Sequence, residues 1–442
     1  MKVLKFGGAS IASPERMKHA ASIIEQGKGM FVVVSATAGT TDLLYEICTC
    51  AEHGRQNEAE SLISRLHDKM AAYANGLFEK GPVRDKALGK VEDNTRLIQQ
   101  LATGEYSLQA EKQIVACGEM FATDVMSMYL ETEGKPNKIV YAPGFIRVDE
   151  EGRPNMEYIS QHLNALFDAD GRDTLYLTQG FVCSDCHNQI DNLGRGGGDY
   201  TATLIAAAIG AEEVQIWADV EGMRNNDPRF VSRTFAVDSL SYAEAGALAR
   251  YGAKILHPKC VDPIAKCHIP LRIRYTARPE CRGTLVSDCS CRKAPFKAVA
   301  ACDKIAVVRV TMEDETWERL AQVAGIFKTY HKDIDQLTTG AHILTLTASD
   351  SPSIERIHNS LKDEGFEVEV EKGMSMICIV GNLEWHTTGI ETTILDALRD
   401  IPLCLISYDG SGLCMTVATK SEYKQDALEA LNRELFEKNK QN

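Results

Sequence analysis

The feature that most constrains this chain is a change of rhythm near residue 290. Before it, short β-branched runs alternate with helical patterns, the mark of an α/β architecture. After it, the order becomes strand, helix, strand, strand, helix, strand, and a similar order returns about 70 residues later. Such a chain is built as a large α/β domain followed by a repeated small α+β unit.

Val3–Phe6 reads as the first strand, and Pro14 to Glu25 as a helix with Ser13 as its N-cap. Further strands are expected at Phe31–Val34, Ile139–Tyr141, Leu175–Thr178, Val214–Val220 and Leu271–Tyr275. From about Leu43 to Leu130 the pattern is almost all helical, which predicts a helical insertion. Residues 286–297 lack periodicity and read as a linker. Beyond them, Met376–Val380 answers Ala306–Val310, and Leu413–Val417 answers Ile343–Thr347. The expected boundaries are therefore 1–285, 298–371 and 372–442, with the last two free to intertwine.

A length of 442 residues leaves room for about three domains. The net charge of −14 disfavours nucleic acid and anionic membranes as partners. No apolar run approaches the ~20 residues needed to cross a bilayer. The N-terminus lacks the apolar stretch of a secretory signal, so a cytoplasmic location is expected. The 14 cysteines then read as reduced thiols.

Four segments carry chemistry. Lys5-Phe6-Gly7-Gly8-Ala9-Ser10 follows the first strand; glycines let amides approach an anion and the lysine adds a point charge. Taken alone, the segment is better explained by a tight strand-to-helix turn with a surface lysine. Ser35 to Thr41 places small hydroxyl residues at the end of the second strand, suited to an anion or to plain helix capping. Gly194 to Ala202 surrounds Arg195 with glycines and sets Asp199 at the start of an Ala-rich helix. Amides there face an anion at the positive helix end, and Arg195 suits a carboxylate. The fourth segment runs from Ala218 and Asp219 through Asp227-Pro228-Arg229 to Gly252–Pro258, including Lys254 and His257. Its cations suit a nucleotide, although Asp227-Pro228 also fits a solvated turn.

Taken together and in this order, with Gly118-Glu119 and Gln179-Gly180-Phe181 between them, these segments resemble the aspartokinases of the amino acid kinase superfamily. The resemblance implies an αβα sandwich with a helical insertion, then two ferredoxin-like ACT domains. It implies transfer of a phosphoryl group from ATP to the side-chain carboxylate of L-aspartate, with Mg²⁺ accompanying ATP and no metal held by the protein. Lys5 and Asp199 would be catalytic. Ser35, Thr41, Glu119, Phe181, Arg195, Gly197 and Gly198 would bind aspartate. Lys5, Gly7, Gly8, Ser10, Ala218, Asp219, Arg224, Arg229 and Lys254 would bind ATP. The ACT pair implies a homodimer or larger assembly and feedback by an amino acid such as lysine or threonine, with Asp335 and Thr339 facing it. Because the sequence stops at Asn442, a fused homoserine dehydrogenase is not expected.

Three positions depart from the family pattern. Gly198 stands where serine is usual, Ala218 where threonine is common, and Arg224 where tyrosine often lies near the purine. Arg224 is expected to face solvent. Two other functions fit these residues: a non-catalytic amino-acid sensor, and a kinase acting on glutamate. Cys183–His187 matches the haem-attachment spacing C-x-x-C-H, but chance occurrence is the simpler reading in a chain with no export signal. Cys281, Cys289 and Cys291 lack the paired spacing of a zinc site. His257 reads as a helix-start residue, since a carboxylate nucleophile needs no base.

Overall fold

The computed structural model describes residues 1–25, 29–253, 256–288, 295–312, 317–384 and 386–437. The chain divides into two compact units. The first holds Met1–Met223, Asp238–Tyr242 and Ile255–Ser290; the second holds Arg224–Val237, Ala243–Lys254 and Cys291–Asn442.

Strands of the first unit are β1 (Lys2–Phe6), β2 (Met30–Val34), β3 (Lys138–Ile139), β4 (Leu175–Gln179), β5 (Val182–Ser184), β6 (Ile190–Asn192), β7 (Glu213–Ala218), β8 (Ser239–Ser241), β9 (Leu271–Tyr275) and β10 (Thr284–Ser287). Eight of them form one sheet in the order β3-β4-β2-β1-β7-β9-β10-β8, while β5 and β6 pair as a hairpin. Pairing is parallel from β3 to β9, and β10 runs antiparallel to β9. Every residue of β2 and β4 is buried, as parallel strands covered on both faces require.

The helices of this part of the chain are α1 (Pro14–Ile23), α2 (Thr40–Glu52), α3 (Gln56–Leu77), α4 (Pro82–Thr103), α5 (Leu108–Thr132), α6 (Met156–Asp170), α7 (Gly197–Ile209), α8 (Tyr242–Arg250), which beyond Tyr242 belongs to the second unit, and α9 (Val261–Lys266). The Ser13 hydroxyl accepts from the Arg16 amide and caps α1. Helices α2 to α5 are the helical insertion. Their apolar faces, including Leu44, Ile47, Leu66, Ile98 and Phe121, share one core with Leu4, Phe6 and Val32 of the sheet. No described helix is long and apolar enough to cross a membrane.

The second unit adds β11 (Phe296–Thr311), α10 (Trp317–Thr329), β12 (Gln336–Thr339), β13 (Ile343–Ser349), α11 (Pro352–Asp363), β14 (Glu367–Gly381), α12 (Ile390–Ala397), β15 (Leu405–Tyr408), β16 (Cys414–Lys420) and α13 (Lys424–Asn432). Its sheet is antiparallel, in the order β12-β13-β11-β14-β16-β15. Two cores lie along it. Val308, Val310, Phe327, Leu346 and Ile357 form one; Phe296, Val299, Ile379, Val417 and Leu428 form the other.

The expected boundaries shift in three places. Strand β14 is continuous through residues 371 and 372, so no linker separates the repeats. Phe296–Cys302 pairs with Met376–Gly381 and packs with the second repeat, so the chain segment leading into the first repeat completes the second. Residues 224–237 leave the α/β unit because Val231, with Phe230 and Phe235, buries apolar surface in that second core.

Candidate active site

Lys5 lies in β1, between β2 and β7, and its ammonium is 2.6 Å from the Asp199 carboxylate. The two side chains are only 12% and 13% exposed. Asp199 sits in the first turn of α7, where a negative charge meets the positive helix end. Gly196 precedes that helix at φ +74°, in the left-handed region that glycine tolerates. A Cβ on Gly198 would lie 2.7 Å from the Ser35 hydroxyl and 3.1 Å from Lys5 Cε. The glycine thus lets α7 approach both groups, which accounts physically for the absence of serine there.

The loop after β2 is fastened on several sides. Ser35 N–H donates to the Phe6 carbonyl and Ala38 N–H to the Gly8 carbonyl. The Lys69 ammonium of α3 donates to the Ala38 carbonyl at 2.7 Å. Partial burial and Arg65 depress the Lys69 pKa, while Asp42 opposes this. Gly118 of α5 brings the helix against Ala36, Leu44 and Thr40, where a Cβ would meet atoms at 3.0 to 3.4 Å.

Glu119, the next residue, is 4% exposed, and burial pushes its carboxyl up to about 7 against the opposing pull of the Ala36 amide and Lys5. Among the described residues its Oε2 has no hydrogen-bond partner. A buried carboxyl with an open oxygen has acceptor capacity left for a further donor.

Across from this loop, the Gln179–Phe181 turn presses on α7. A Cβ on Gly180 would lie 2.8 Å from Gly198 Cα, and one on Gly197 would lie 2.8 Å from the Phe181 ring. Arg195 is exposed at the mouth of the glycine turn. His257 packs against Gly196 and its Nδ1 accepts from the Lys259 amide. Burial, then Lys259 and Arg195, depress the His257 pKa, while Asp199 opposes this.

Residues 1–275 match the amino acid kinase family. The chain belongs to that family. The lysine-sensitive aspartokinase 3 of Escherichia coli is 28% identical over 448 residues, covering 98% of this chain and 99% of that protein. The crystal structure of E. coli aspartokinase III with aspartate and ADP, in its R-state, superposes at a TM-score of 0.88, with 26% identity over 99% of this chain and 100% of the other. The T-state of that enzyme, with lysine and aspartate, gives 0.76 at 26% identity, covering 99% of each chain. The amino acid kinase domain followed by ACT-like units is therefore the aspartokinase fold.

Within this amino acid kinase, Lys5, Ser35, Glu119, Phe181, Gly197, Gly198 and Asp199 gather around one end of the sheet. Thr41 lies half-buried at the start of α2. The nucleotide set is less unified. The Gly7 amide donates to the Trp217 carbonyl, so it is not offered to a phosphate. The Ser10 hydroxyl is likewise turned inward, bonded to the Trp217 carbonyl and to Thr276. Ala218 ends β7, and its carbonyl accepts from Thr276. Asp219 lines a cavity of about 420 Å³ with Ser10, Arg16, His19, Tyr275 and Thr276.

Arg224 does not face solvent: it donates to the hydroxyl and carbonyl of Thr234. Arg229 is ion-paired with Asp227. Both arginines belong to the second unit. Lys254 lies outside the described residues, as do Cys289 and Cys291. Among the described residues no group of three or more His, Cys, Asp or Glu is placed to hold a metal. Cys183 is buried, Cys186 exposed, and both are free thiols.

In the second unit, Asp335 leads into edge strand β12, and burial raises its pKa. Thr339 lines an apolar cavity of about 230 Å³ with Met312, Trp317, Leu320 and Ile343. Sequence reading missed Lys69 and Thr201. Lys69 sits inside an amphipathic helix and carries no local signal. Thr201 directly follows Asp199-Tyr200, and its proximity to that motif was the available clue.

Proposed function

We propose that this chain is an aspartate kinase, transferring the γ-phosphoryl group of ATP to the side-chain carboxylate of L-aspartate to give 4-phospho-L-aspartate and ADP. The observation that carries the reading is the junction of Lys5, Asp199 and the first turn of α7 beside the open carboxylate of Glu119.

The attacking carboxylate is already a nucleophile, so no general base is needed. The obstacle is charge, because an anion must approach a polyphosphate. Catalysis then rests on positioning and neutralisation. Lys5 stabilises the transferring phosphoryl group. Asp199 aims Lys5, and the Gly198 amide adds the positive end of α7, the Gly197 amide being bonded to the Gly194 carbonyl. Glu119 receives the substrate ammonium, Arg195 the α-carboxylate, and Ser35, Thr41 and Phe181 complete the pocket. Asp199 is committed to Lys5, so Mg²⁺ is read as part of the MgATP substrate, held by phosphate oxygens and water. Gly8 and Asp219 serve the nucleotide; roles for Ala218, Arg224, Arg229 and Lys254 rest on the family resemblance.

The enzyme works in the cytoplasm, as a homodimer or larger assembly joined through the ACT-like units. Lysine or threonine acts as feedback effector near Asp335 and Thr339. Exposed Trp317, Leu337 and Ile343 beside edge strand β12 support the assembly. The test is ADP release with MgATP and a panel of amino acids. Aspartate alone is expected to turn over; equal turnover of glutamate contradicts the substrate, and no turnover with any favours a sensor.

A further inference from the structure

We propose that Thr201 is a positioning residue for phosphoryl transfer: its hydroxyl locks a strained turn at Phe181 onto the first turn of α7. Phe181 has φ +69°, and the Val182 amide donates to the Gly180 carbonyl at 2.7 Å. Together these describe a γ-turn of positive φ, a rare conformation for a bulky side chain. Such strain persists only where its surroundings hold it.

The surroundings are specific. The Phe181 amide donates to Thr201 Oγ1 at 3.0 Å. The same hydroxyl donates to the Gly197 carbonyl at 2.8 Å. Thr201 is fully buried at 0% exposure. A threonine bonding back to the carbonyl four residues earlier is common in helices. Accepting a bond from a separate strained loop is not part of that habit. The two backbones meet so closely that neither Gly180 nor Gly197 has room for a Cβ.

The consequence reaches the site in one step. Gly198 lies against Lys5 and Ser35, and Asp199 pairs with Lys5. If the Phe181 turn relaxes, the turn of α7 that aims Lys5 loses its backing. Valine keeps the shape of threonine but leaves the part-buried Phe181 amide without its acceptor. Serine keeps the hydroxyl. The proposal rests on the aspartate kinase reading only for its kinetic readout.

The experiment compares the full-length wild type with Thr201→Val and Thr201→Ser. It follows kcat and KM for aspartate and ATP, and hydrogen–deuterium exchange across residues 179–184. In the wild type the Phe181 amide is expected to be protected. Thr201→Val should lower kcat at least tenfold, with KM for ATP changed less than twofold, and speed exchange in that segment. Thr201→Ser should stay within threefold of wild type on each measure. Normal kcat in Thr201→Val overturns the proposal, as does equal impairment of both variants. If Thr201→Val does not fold, Thr201→Ala takes its place, and an unprotected Phe181 amide in the wild type overturns the clamp by itself. A wild type inactive on aspartate defeats the functional reading, while the exchange comparison still decides the clamp.

Discussion

Glu119 carries a charge that depends on pH near neutrality, because burial lifts its carboxyl to about 7. A raised carboxylate pKa means the group is neutral below that value and charged above it. A substrate ammonium, in the role proposed for Glu119, would pair only with the charged form. Accordingly kcat/KM for aspartate should fall about tenfold per unit as pH drops below about 7. Glu119→Gln should weaken aspartate binding and flatten that limb; a wild-type profile already flat down to pH 6 would contradict the assignment. Gly198 makes a second residue-level prediction. A serine Cβ there would collide with the Ser35 hydroxyl at 2.7 Å. Gly198→Ser should therefore raise KM for aspartate about tenfold, a loss of roughly 1.4 kcal/mol. The double variant Gly198→Ser/Ser35→Ala should recover part of it, as a steric conflict between neighbours predicts. Additive losses in the double variant would place the serine's effect elsewhere.

At the scale of elements, the helical insertion does more than fill a core. Through Lys69, α3 holds the Ala38 carbonyl of the loop that also bonds Phe6 and Gly8. Lys69→Met removes one charge-assisted bond, worth about 1.5–3 kcal/mol in a protein; partial exposure reduces this to about 1 kcal/mol. KM for aspartate should rise about three- to tenfold with KM for ATP unchanged, measured by initial rates. A rise in the ATP term instead would move the loop's role to the nucleotide. The sequence rhythm made the strands legible where the pattern was unambiguous: Phe31–Val34 is a buried apolar run and Leu271–Tyr275 alternates apolar with charged residues, and β2 and β9 coincide with them to within a residue. The short hairpin of β5 and β6 was not legible, because three-residue strands carry no period. The first two residues of β11, Phe296 and Lys297, read as linker and the strand was expected only from about Ile305, because residues 289–294 break the pattern just before it and the partner of its first half lies about eighty residues away. Ordered motifs drew Lys5, Ser35, Glu119 and Asp199 together. The inward turn of Ser10 depends on Trp217 and Thr276, which no local spacing reveals.

In the molecule as a whole, the two repeats of the second unit are one folded body. Strand β14 serves both, and Phe296–Cys302 completes the core of the later repeat. Fragments 298–371 and 372–437, expressed separately, should each lack a cooperative thermal unfolding transition, whereas residues 296–437 with 224–237 supplied in the chain should unfold as one. Independent melting of either short fragment would show the repeats to be separable. For the whole chain, the proposed transfer of a phosphoryl group to aspartate depends on Lys5 held by Asp199. The most direct measurement traps the acyl phosphate with hydroxylamine, using wild type and Lys5→Ala with MgATP and aspartate. Aspartyl hydroxamate should form with the wild type and fall at least a hundredfold with Lys5→Ala, which should still bind ATP, in line with the loss of one preorganised cation. Undiminished hydroxamate from Lys5→Ala, or none from the wild type, would contradict it.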